Sequence, residues 1–131
     1  MSYYFAAIVE LPFDAAIERT KAALQAEGFG VLSDIDVSAT LKNKIGAEFR
    51  PYRILGACSP THAYEALKKE DKVGTMLPCN VIVQELAPGR TEIAAIDPVA
   101  SMQAIENAEL GEVAQEVRAK LASVIEALKR G

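Results

Sequence analysis

Leu110, Val113, Val117, Leu121, Val124 and Leu128 recur at intervals of three and four residues through the last part of the chain. At 3.6 residues per turn, this spacing draws one apolar stripe along about five turns of helix. A helix of that length with a single apolar face has to lie across a sheet. A second helix is marked between Pro12 and Glu27, where Phe13, Ile17, Thr20, Ala23 and Leu24 share a face. Pro12 suits its first turn and Gly28 its exit.

Elsewhere the period is two. Tyr3 to Glu10 reads as a strand that is apolar on both faces, with Tyr3, Phe5, Ala7 and Val9 on one and Tyr4, Ala6 and Ile8 on the other. Such a strand needs two covers, and its own helices supply only part of them, so a homodimer is expected. From Phe29, Val31, Ile35 and Val37 alternate with Leu32, Asp34 and Asp36. Ser38 to Ile45 reads as a short helix, capped by Ser38 and stopped by Gly46.

Pro51 starts the next strand, in which Tyr52, Ile54, Gly56 and Cys58 share a face. Ser59-Pro60 then opens a short helix through Leu67, and Gly74 to Asn80 leads into the strand Val81-Ile82-Val83. Pro88-Gly89 is a turn before Thr91 to Ile96, and Asp97-Pro98 ends that strand. The order is thus strand, helix, four strands with short helical insertions, helix.

Length and charge narrow the function classes. A chain of 131 residues without a linker or repeat is one domain, residues 1–131. Its formal charge of −4 provides no basic field for nucleic acid. The start Met1-Ser2-Tyr3-Tyr4-Phe5 is unlike a signal peptide, and no apolar run reaches the length of a membrane span. A cytoplasmic protein is expected, with its two cysteines as thiols.

Hairpin logic assembles a candidate site. A tip at Pro88-Gly89 sets Cys79 beside Asp97, and an antiparallel pairing of the strands on either side of the short helix brings Cys58 to the same end. Cys58, Ser59, His62, Met76, Cys79, Asn80, Asp97 and Met102 then crowd one rim, whereas a parallel crossover would separate the cysteines. Cys58 precedes a favoured N-cap, Ser59, and a favoured first helical residue, Pro60. A sulfur there feels the positive end of the helix dipole, which favours the thiolate.

Each of these residues also has an ordinary structural use: cysteine and methionine fill cores, His62 suits a surface helix, and Asp97-Pro98 suits a turn. A Ser59, His62, Asp97 triad can be written down, but the Ser59 oxygen is expected to accept from the backbone as a cap. No phosphate loop, Cys-x-x-Cys or second histidine is present.

The strings Tyr52-Arg53-Ile54-Leu55-Gly56-Ala57-Cys58-Ser59-Pro60, Ala63-Tyr64-Glu65-Ala66-Leu67 and Leu77-Pro78-Cys79-Asn80-Val81-Ile82-Val83, followed by Asp97-Pro98 and Met102, resemble the signature of the bacterial and archaeal domain of unknown function 302 family. The resemblance implies an α+β domain, an antiparallel sheet with two long helices on one face, TATA-binding-protein-like in outline and dimeric. The family pattern commonly has asparagine where this chain has Ser59; either residue can cap a helix.

Three functions are compatible with the rim. The first is a binding module in which Cys58, Ser59, Pro60, Cys79, Asn80 and Asp97 hold a small ligand, or in which Cys58 and Cys79, with His62, Met76 or Met102, hold a soft metal ion such as Cu(I). The second is a thiol enzyme or redox sensor, with Cys58 as nucleophile and Cys79 as resolving thiol. The third is a structural homodimer whose cysteines only pack.

Overall fold

The computed structural model of the protein describes residues 2–131. Five strands form one sheet in the order β1-β5-β4-β3-β2, every neighbouring pair antiparallel. The strands are β1 (Tyr4–Val9), β2 (Gly30–Asp36), β3 (Tyr52–Cys58), β4 (Cys79–Ala87) and β5 (Arg90–Ile96). The helices are α1 (Phe13–Ala26), α2 (Val37–Ile45), α3 (Pro60–Lys69), α4 (Pro98–Ser101) and α5 (Leu110–Arg130), and a 3₁₀ turn spans Asp71–Met76.

The stripe on α5 behaves as its spacing dictates. Leu110, Val113, Val117, Leu121, Val124 and Leu128 are all buried. Of these, Val117, Leu121, Val124 and Leu128 join Ile17 and Leu24 of α1 in covering the sheet face that carries Ala7, Val9, Leu55, Ala57, Val81, Val83, Ile93 and Ala95. Burying each large aliphatic chain contributes about 1.5–3 kcal/mol, so the two helices and this face hold the fold together. The polar groups inside are satisfied: Thr20 donates to the Ala16 carbonyl at 2.7 Å, and Thr91 to the Leu11 carbonyl at 2.9 Å.

Two local expectations are corrected. The cap of α2 is Asp36, whose carboxylate accepts from the Ala39 amide at 2.9 Å, and Ser38 only bonds that carboxylate from inside the helix. The simple alternation of β2 fails because its register against β3 shifts between Val31 and Ser33. A bulge of this kind moves later side chains to the other face, so Ile35 pairs with Ile54 and stands exposed although Val31 pairs with buried Ala57.

A smaller core lies beside the main one. Ala66 of α3, Val73 of the 3₁₀ turn and Leu110 and Val113 of α5 cluster there, with Leu77, Met102 and Ile105 against them. The opposite sheet face has no long helix on it among the described residues. Tyr4 and Ile8 of β1 stay 45% and 46% exposed on that side.

Candidate functional site

The two cores do not close on each other. A cavity of about 340 Å³ lies along their seam, walled by Phe29, Ala57, Cys79 and Val117 from the main core and by Ala66, Leu77, Met102 and Val113 from the smaller one. The 3₁₀ turn carries the chain from α3 to β4, and α3 leans on α5 beside the sheet. Cys58, Ser59, His62 and Ala63 complete the wall where β3 runs into α3.

The antiparallel pairing of β3 with β4 sets Ala57 opposite Cys79, so the rim forms as hairpin logic requires. Of the residues expected there, Cys58, Ser59, His62, Cys79 and Met102 line the cavity. Pro60 is exposed at the first position of α3, Met76 is exposed at the end of the 3₁₀ turn, and Asn80 belongs to the uncovered sheet face. Asp97 is buried away from the cavity. Its carboxylate accepts from the Val99 amide at 3.0 Å and from Arg118 Nε at 3.1 Å, which caps α4 and ties it to α5.

The thiols are free, Cys58 half-buried and Cys79 buried. Burial pushes the Cys79 thiol up to about 11, and the neighbouring Cys58 adds to the rise. Cys79 is therefore a neutral thiol at physiological pH. Among the described residues no three His, Cys, Asp or Glu side chains converge as a metal site would require.

Ser59 departs from its expected role. It stands at the N-cap position of α3 but makes no side-chain cap bond. Its Oγ lies 2.7 Å from His62 Nδ1, and His62 Nε2 lies 2.9 Å from Glu116 Oε2. The carboxylate can only accept, so a neutral His62 carries its proton on Nε2, leaving Nδ1 to accept from the Ser59 hydroxyl. This chain of three groups links α3 to α5 at the cavity wall.

Gly56, paired with Ser33 and Asn80, has a packing reason of its own. A Cβ there would run into Ser33 Oγ and stand 2.8 Å from Pro78 Cγ. Glu116, Val113 and Val117 were not readable as site residues, because only the docking of α5 against α3 makes them neighbours of His62 and Cys58. The one signal for Glu116 was its place beside Val117, on the flank of the apolar stripe.

No functionally curated protein matches the chain. The crystal structure of an uncharacterized conserved DUF302 protein from Bacillus stearothermophilus is similar throughout, with TM-score 0.89, 28% sequence identity, and coverage of 98% of this chain and 99% of that one. The family described as Domain of unknown function DUF302 matches residues 5–128, which include both cysteine strings, all of the sheet but Tyr4, and nearly all of α5. The chain therefore belongs to the DUF302 family.

Proposed function

We propose that this domain is a binding module for a small, largely apolar molecule held between α3, α5 and the β3–β4 edge of the sheet. The observation that carries this reading is the cavity of about 340 Å³ at the seam of the two cores. That volume falls in the range of about 300–1,000 Å³ used for small molecules, and an apolar wall with a few polar groups at one place is the usual composition of such sites. Cys58, Ser59 and His62 are those polar groups. A soft metal ion such as Cu(I) is less favoured, since among the described residues no three His, Cys, Asp or Glu side chains converge on the cysteines.

The test is uptake of 1-aminoanthracene, a small apolar fluorophore, in the full chain and in Ala63→Trp, which fills the cavity from its wall. One molecule per chain, lost in the variant, supports the reading; equal binding by both proteins contradicts it.

A second copy of the chain is the natural cover for the other sheet face. Tyr3, Tyr4, Tyr52, Ile82 and Ile96 line a groove of about 350 Å³ there. Tyr4→Glu and Ile82→Glu would abolish a dimer that uses this face, and light scattering behind gel filtration reads the result. A species whose mass is unchanged by either substitution speaks against that assembly.

A further inference from the structure

We propose that Ser59 is a nucleophile for acyl transfer, with His62 as its general base and Glu116 as the residue that positions the imidazole, acting on small apolar carboxylic esters bound in the cavity. This rests on the reading of the cavity as a ligand site and names the chemistry of its polar corner. Three features carry it. The hydrogen-bonded chain Ser59 Oγ, His62 Nδ1 (2.7 Å), His62 Nε2, Glu116 Oε2 (2.9 Å) places a base on the hydroxyl and a carboxylate behind the base. Ser59 and His62 both line an otherwise apolar cavity that can hold an acyl or alkyl group. The Ser59 hydroxyl is turned to His62 and does not cap α3, so the first free amides of the helix, those of Thr61 and His62, remain as donors beside the serine.

The reaction balances with water as the only co-reactant. Ser59 Oγ bonds to the ester carbonyl carbon as its proton passes to His62 Nδ1. The carbon–alkoxy bond then breaks, and the alcohol departs with that proton. Water next gives a proton to His62 Nδ1 and attacks the acyl-serine. The acyl carbon–Oγ bond then breaks, the proton on His62 Nδ1 returns to Ser59 Oγ, and the carboxylic acid leaves. Glu116 holds the tautomer and steadies the imidazolium in both halves, without itself taking the proton.

The experiment treats the full chain with p-nitrophenyl butyrate and, separately, with an alkyl fluorophosphonate whose adduct is mapped by mass spectrometry. The expected result is steady ester hydrolysis and one adduct on Ser59. Both should be lost in Ser59→Ala, and both reduced by about 10²-fold or more in His62→Gln. Glu116→Gln should lower kcat by about tenfold or more at unchanged KM and shift the acid limb of the pH profile, a pattern that loss of a merely structural tether would not give. Circular dichroism on each variant keeps a folding defect from passing as a chemical one.

Hydrolysis that persists in Ser59→Ala, or a folded protein that takes neither substrate nor fluorophosphonate, overturns the assignment. If that inert protein still binds 1-aminoanthracene in the cavity, the catalytic inference alone falls. If it does not, the binding reading falls with it.

Discussion

His62 Nε2 sits 2.9 Å from Glu116 Oε2, and this contact joins a helix that begins at the end of β3 to the helix that spans the sheet. It crosses the wall of the cavity, so it bears on how readily α3 lifts away from α5. Glu116 is more than half exposed, which limits the pair to about 0–1 kcal/mol of global stability. Glu116→Ala should therefore leave the denaturation midpoint nearly unchanged while amide exchange in α3 quickens relative to α5. Uniform exchange in both proteins would show that α3 is held by its apolar contacts alone.

The two thiols should differ sharply. Iodoacetamide should modify half-buried Cys58 first, with Cys79 reacting only as the pH approaches about 11 or the chain unfolds. The folded value lies above the ordinary thiol value of about 8.5, so the unfolded chain gives up this proton first. The stability that Cys79 contributes is thus fully present below about 8.5 and lost as pH rises towards about 11. Cys79→Ser should cost about 1–3 kcal/mol by placing a hydroxyl in an apolar wall, read from urea denaturation.

Gly56→Ala should destabilise by about 1–3 kcal/mol, because the new methyl meets Ser33 Oγ and the Pro78 ring. Ser33→Ala in the same chain should recover part of that loss. Additive losses in the double variant would mean that Ser33 is not the obstacle.

Asp36 gives a cap with a pH signature. Its carboxyl is held below the ordinary range, first by the Ala39 amide and then by Ser38. A depressed value of this kind contributes stability above the unfolded value of about 3.9, lost as pH falls through the folded one. Asp36→Ala should cost about 1 kcal/mol at neutral pH, whereas Asp36→Asn should keep the cap and lose only the acid dependence. Thermal melts of the three proteins between neutral and acid pH decide it.

What the sequence made legible was set by periodicity and by turn chemistry. The α5 stripe needed no tertiary information, since spacing alone fixes which residues share a helix face. Pro88-Gly89 likewise placed the β4–β5 hairpin, whose Gly89 takes a positive φ of 76°. The Val31 to Ser33 bulge was hidden because an extra residue in one strand is invisible until its partner is known. The Ser59 corner was legible as a helix start and misleading as a cap. Cap preference concerns the serine and its own backbone, and the imidazole three residues on competes for the same oxygen. Glu116 lay beyond reach for a different reason: its contact with His62 spans 54 residues and follows from helix docking, which no local pattern encodes.

Mapping 1-aminoanthracene on the ¹⁵N-labelled chain by amide chemical shifts decides whether the seam between the two cores is a binding site. A binding site there gives saturable shifts confined to Cys58, Ala63, Ala66, Met102, Val113 and Val117, absent in Ala63→Trp. Shifts confined to Tyr4, Tyr52 and Ile82 on the uncovered sheet face, or no saturable shifts at all, would contradict it.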